Sequence, residues 1–136
     1  MSALRFNGLG STLDIDLASW DGDAYVTIAV DSQGFKGHND LHVFGSAFRE
    51  FCRDLLALQR TLKGRARLIS ARSPEELDIT FQPADALGHI RISGHTGYEV
   101  QADHGLNWHA VHFGFQVDPS SLDQVTSNEW VRQHAV

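Results

Sequence analysis

A single cysteine in 136 residues rules out an internal disulfide and any zinc site built on a Cys pair, so the expected setting is a reducing compartment. Cys52 falls at an apolar helical position and reads as a buried core thiol. No run of about eighteen apolar residues occurs, and Met1 to Gly10 has one arginine and nothing like a signal peptide. A cytoplasmic protein with no membrane association is expected. Cations are scarce: eleven Lys plus Arg stand against seventeen Asp plus Glu, a net charge of −6. That balance repels phosphate backbones, excludes nucleic acid as the expected partner, and favours a basic protein surface instead.

Catalytic signatures are missing too. There is no Gly-x-Ser-x-Gly elbow and no His-Glu-x-x-His, and Gly8-Leu9-Gly10 is too short for a phosphate loop and leads into no helix. The expectation is a non-enzyme without a cofactor. With no repeat, low-complexity tract or linker, residues 1–136 form one domain.

What the chain does have is period-two alternation. Leu13, Ile15 and Leu17 point one way while Asp14 and Asp16 point the other, and after a turn at Trp20-Asp21-Gly22-Asp23 the side chains of Ala24, Val26, Ile28 and Val30 continue the apolar face. Ser32-Gln33-Gly34 makes the next turn into a third strand, Phe35 to Val43. These three strands are expected to form a meander.

Between Ser46 and Lys63 the period becomes helical: Phe48, Phe51, Cys52, Leu55, Leu58 and Leu62 share one face. Ser46 is the expected N-cap and Lys63-Gly64 the stop. Strand patterning then returns over Arg65 to Ala71, Glu76 to Gln82, Gly88 to His95, Tyr98 to Asp103 and Trp108 to Val117, with a turn expected at His95 to Gly97. Gly114, inside an apolar strand, predicts a bulge or a close backbone approach. Asp118-Pro119 opens a second, weaker helix with Leu122, Val125 and Glu129 on its main face, packed at an edge and fraying after Gln133.

The order implies an α+β fold: one mostly antiparallel twisted sheet of seven to eight strands, a long helix on one face and a short C-terminal helix. The other face would be left to solvent or a partner. It would carry Asp14, Asp16, Tyr25, Thr27, Asp78, Thr80, His89, Arg91, Ser93 and His95, a mixture of Asp, Arg, Tyr and His suited to a charged protein partner. That polar sheet face is the candidate binding site, and it also suits a homodimer.

Eight histidines are the compositional oddity. His38 and His42 flank Asp40 on one strand face, a spacing zinc can use, but no second motif fixes further ligands, and solvated sheet histidines account for the pattern. A small histidine-dependent metal-binding protein or enzyme is the remaining alternative, beside a self-associating domain.

The helix Phe48-Arg49-Glu50-Phe51 through Leu55-Leu56-Ala57-Leu58 leads into Gly64-Arg65-Ala66-Arg67-Leu68, Leu77-Asp78-Ile79-Thr80-Phe81 and Gly88-His89-Ile90-Arg91-Ile92. This succession, with the strand, Asp-led turn and short helix of Phe113 to Leu122, resembles small bacterial proteins of the WapI-type immunity group. The resemblance implies a cytoplasmic protein that binds a toxin domain and occludes its surface, often a basic one. It assigns no functional residue to a numbered position.

Overall fold

The computed structural model describes residues 3–136. Its elements are β1 (Leu4–Gly8), β2 (Ser11–Trp20), β3 (Ala24–Ser32), β4 (Phe35–Val43), α1 (Gly45–Thr61), β5 (Ala66–Ile69), β6 (Leu77–Pro83), β7 (Ile90–Ala102), β8 (Gly105–Val117), a 3-10 turn (Pro119–Leu122), α2 (Asp123–Ser127) and α3 (Glu129–His134). The α+β class is as expected. The single large sheet is not: the strands form two four-stranded antiparallel meanders, β1-β2-β3-β4 and β5-β6-β7-β8. Each meander is followed by helix, so the two halves repeat one topology although the sequence shows no repeat.

Local sequence explains the hairpins. Asp21 N–H bonds the Asp23 carbonyl across Gly22, which takes a positive φ, and Gln33 and Gly34 both adopt positive φ in the two-residue turn between β3 and β4. The meander begins one strand earlier than expected, with β1 paired along β2 from Leu4↔Ile15 to Gly8↔Ser11. The segment at His95 to Gly97 is no turn. β7 runs straight through it, paired with β8 over its whole length. Gly114 likewise makes no bulge, since the β7–β8 register is unbroken there and a side chain would meet only Ser93. The bulge lies in β2, between Leu17 and Ser19.

Both sheets turn their apolar faces to one shared core. Leu13, Ile15, Val26 and Ile28 from the first sheet and Leu68, Ile79, Phe81 and Ile92 from the second are fully or almost fully buried in a single cluster. Phe81 is its junction: its ring stands edge-on to Phe6 of β1 at 5.0 Å and lies 5.9 Å from Phe51 of α1. The helix therefore closes a core lined by two sheets, with Phe48, Phe51, Cys52, Leu55 and Leu58 buried as its period predicts.

The ends of α1 differ from expectation. Ser46 is not the N-cap. Asp23, from the β2–β3 hairpin, accepts a hydrogen bond from the Gly45 amide at 2.8 Å, and Gly45 packs so closely on the Gly22 carbonyl that no side chain fits there. At the other end Leu62 takes the left-handed cap and Gly64 follows with positive φ.

Asp118 caps the C-terminal segment through the Ser120 amide, with Pro119 in the first turn, as the sequence suggests. The single second helix is instead broken at Asn128, whose side chain accepts from the Val131 amide and starts α3. Glu129 is exposed. Trp130 and His134 turn inward, where His134 lies 4.4 Å from Trp20 and 5.5 Å from Phe48 and so ties α3 to β2 and α1.

Candidate binding surface

Because the sheets face each other, the polar face read from the sequence is two faces on opposite sides of the molecule. Asp14, Asp16, Tyr25 and Thr27 point outward from the first sheet, and Asp78, Thr80, Arg91, Ser93 and His95 outward from the second. The structure does not bring these two sets together. His89 precedes β7 and belongs to a loop, where its Nδ1 lies 2.8 Å from Asp85 Oδ2.

Several of these side chains already have partners. Arg5 donates twice to Asp14, at 2.7 and 2.9 Å, and Arg67 donates twice to Asp78, at 2.8 and 2.7 Å. The Arg67 bond holds the Asp78 carboxyl below its ordinary value. Tyr25 stacks on His42 at 5.1 Å and donates to Asp21, while His95 contacts the Pro74 carbonyl at 2.8 Å and the His112 ring at 4.8 Å.

The two faces differ in charge. Along the outer face of the first sheet stand Asp14, Asp16, Asp31 and Asp40 against Arg5 and Lys36, with Asp21 and Asp23 in the adjoining turn. Asp16 Oδ1 is buried and has no hydrogen-bond partner among the described residues. On the outer face of the second sheet Arg67 and Arg91 stand with Asp78, which pairs with Arg67, and with Glu99 farther along β7.

His38, Asp40 and His42 do share the outer face of β4, but each serves differently. His42 Nε2 lies 2.7 Å from Asp23 Oδ2, and Asp40 accepts from Thr27 at 3.0 Å. The His42 bond, then the Gly45 amide, holds the Asp23 carboxyl below its usual value. Among the described residues no group of three His, Cys, Asp or Glu side chains is placed to hold a metal ion. Cys52 is buried, and burial pushes its thiol up to about 12, which leaves it unreactive as a nucleophile.

The conspicuous surface is elsewhere. Beyond Thr96 and Val111 the β7–β8 hairpin leaves the core as an arm, and its large apolar side chains are uncovered on both sides. Tyr98 is 46% exposed, Val100 42%, Leu106 59% and Trp108 42%, while Phe35, at the facing end of β4, is 70% exposed. Register sets Tyr98 opposite His109, and their rings lie 5.7 Å apart; Trp108 stands opposite Glu99 on the other side of the ribbon.

Between arm and β4 opens a cleft of about 830 Å³, lined by residues 34–39, 96–98 and 108–111. Its base is fixed by Asn39, which donates to the Gly97 carbonyl at 2.9 Å and to Thr96 Oγ1 at 3.2 Å, and by Gly37, seated against Val111 and Thr96. Reading His95 to Gly97 as a turn concealed this arm. Taken as one strand, the sequence places Tyr98 and Val100 on one side and Leu106 and Trp108 on the other, apolar on both faces with no element left to cover them. No known protein family, curated protein or solved structure matches this chain.

Proposed function

We propose that this chain is a non-catalytic binding protein that engages another protein through the β7–β8 arm and the adjoining cleft. The observation that carries this reading is the aromatic set Phe35, Tyr98 and Trp108, held exposed on paired strands where the core makes no use of it. Tyr and Trp combine large contact area with few rotatable bonds, and exposed clusters of them mark interfaces far more often than bare surface. His42 with Asp23, His89 with Asp85, Arg67 with Asp78 and the Asp118 cap are engaged in pairing or capping, which supports a structural role for these side chains.

In its narrower form the reading is an immunity protein that occludes a basic toxin domain. The net charge of −6 and the acidic outer face of the first sheet support a basic partner, and the resemblance of residues 44–88 to the WapI-type group points the same way.

Co-expression with the toxin-like product of the neighbouring reading frame tests this. Growth should be rescued by the wild-type chain and lost with Tyr98→Ala plus Trp108→Ala. Rescue that survives the double substitution removes the arm from the account, and a neighbouring frame of metabolic enzymes removes the immunity reading.

A further inference from the structure

The cleft has one wall that is backbone. In the two-residue hairpin, Phe35 pairs with Ser32, so Phe35, Gly37 and Asn39 exchange hydrogen bonds with β3 and the alternate residues Lys36, His38, Asp40 and His42 turn their amides and carbonyls outward. The assignment agrees with the far end of the strand, where the outward carbonyl of His42 accepts from the Ala71 amide at 2.8 Å. Among the described residues that row is capped by backbone only there. Because residues of both faces, 34 through 39, line the cleft, it follows the free edge of β4. Six residues extend about 17 Å, the length of an ordinary strand.

We infer that the cleft takes an extended peptide segment of the partner, which adds as a fifth strand beside Lys36 and His38 and rests its alternate side chains on Phe35 and Tyr98. Main-chain bonds to an open edge give such a complex its affinity, and flanking pockets give it selectivity. The chemistry of the segment follows from the lining. The chain carries seventeen carboxylates, yet none lines the cleft, and Lys36, His38 and His109 do. Lys36 is only loosely engaged, 3.8 Å from Asp31. The segment is therefore apolar at alternate positions with a carboxylate between them, whereas the basic surface of a toxin would meet the acidic face of the first sheet. This inference rests on the reading of the chain as a protein-binding domain.

The test uses synthetic octapeptides with Val, Phe or Tyr at alternate positions and Glu or Lys at one position between, titrated against the full chain. Glu peptides should bind, and their Lys counterparts should bind about threefold to fivefold more weakly, as an exposed ion pair allows. N-methylation of the residues whose amides meet β4 should abolish binding, and methylation of the intervening ones should not. His38→Pro removes one outward donor at an edge position where proline is compatible with the strand, so it should fold and bind about tenfold or more weakly. If His38→Pro fails to fold, the N-methylated peptides decide alone. Absence of binding by any peptide, or binding indifferent to N-methylation, overturns the inference. Toxin protection lost with Trp108→Ala but kept with folded His38→Pro would retain the arm as the contact surface and discard strand addition.

Discussion

Phe81 is where the two-sheet core is most exposed to test. Its ring is fully buried, edge-on to Phe6 at 5.0 Å and 5.9 Å from Phe51, so Phe81→Ala removes one side chain that touches the other sheet and the helix together. Deleting a buried Phe leaves a cavity and costs about 3–5 kcal/mol, against about 5–15 kcal/mol for a domain of this size. The midpoint of thermal unfolding should fall by roughly 10 °C. Urea unfolding followed by tryptophan fluorescence and by far-ultraviolet circular dichroism should stay coincident, because Trp20 and Trp130 report the first sheet and α3 while the dichroism reports all strands. Phe35→Ala, the same deletion at an exposed position, should change stability by about 0.5 kcal/mol or less. A loss under about 1 kcal/mol at Phe81, or two separated transitions, would refute a core shared by both sheets.

Three further outcomes follow from particular contacts. Gly45→Ala places a methyl against the Gly22 backbone, which cannot rotate away, so it should destabilise by about 1–3 kcal/mol in denaturant titration although alanine favours helix. Asp23 and Asp78 have folded carboxyls held below the ordinary value of 3.8 by the His42 and Arg67 bonds, so the stability they contribute is present above about pH 4 and is lost as pH falls through their lower folded values. Unfolding measured down an acid series should show that loss, and Asp78→Asn should flatten its part of the limb. Cys52 should not react with Ellman's reagent at pH 8 in the native chain and should titrate as one thiol in guanidinium, because burial raises its pKa to about 12.

Period-two and helical patterning made the strands, the helix stripe and the outward positions of Asp14, Tyr25, Asp78 and Arg91 legible from sequence. They did not reveal how the strands divide. Alternation says which side chains share a face of one strand, but the apolar rows Leu13-Ile15-Leu17 and Leu77-Ile79-Phe81 look alike whether the sheets run on or stack. One clue was quantitative: α1 offers one stripe, too little to cover eight strands, so the apolar faces had to cover each other. Other features were illegible for local reasons. The cap on α1 comes from Asp23, about twenty residues upstream, which no scan for an adjacent Ser or Asp detects. The break at Asn128 is an Asn cap set inside an apolar pattern, Leu122, Val125, Trp130 and Val131, that runs on across it. Gly97 made β7 look interrupted after His95, yet the strand continues past it into the arm; Gly94, where the Asp78 carbonyl leaves no room for a side chain at φ +148°, lies inside the same strand.

The arm decides the functional account, and site-specific photo-crosslinking tests it most directly. With benzoylphenylalanine replacing Tyr98 in one chain and Thr80, on the outer face of the second sheet, in another, illumination in the native host should yield a discrete adduct from position 98 and none from position 80. An adduct confined to position 80, or none from position 98, would contradict the arm as the contact surface.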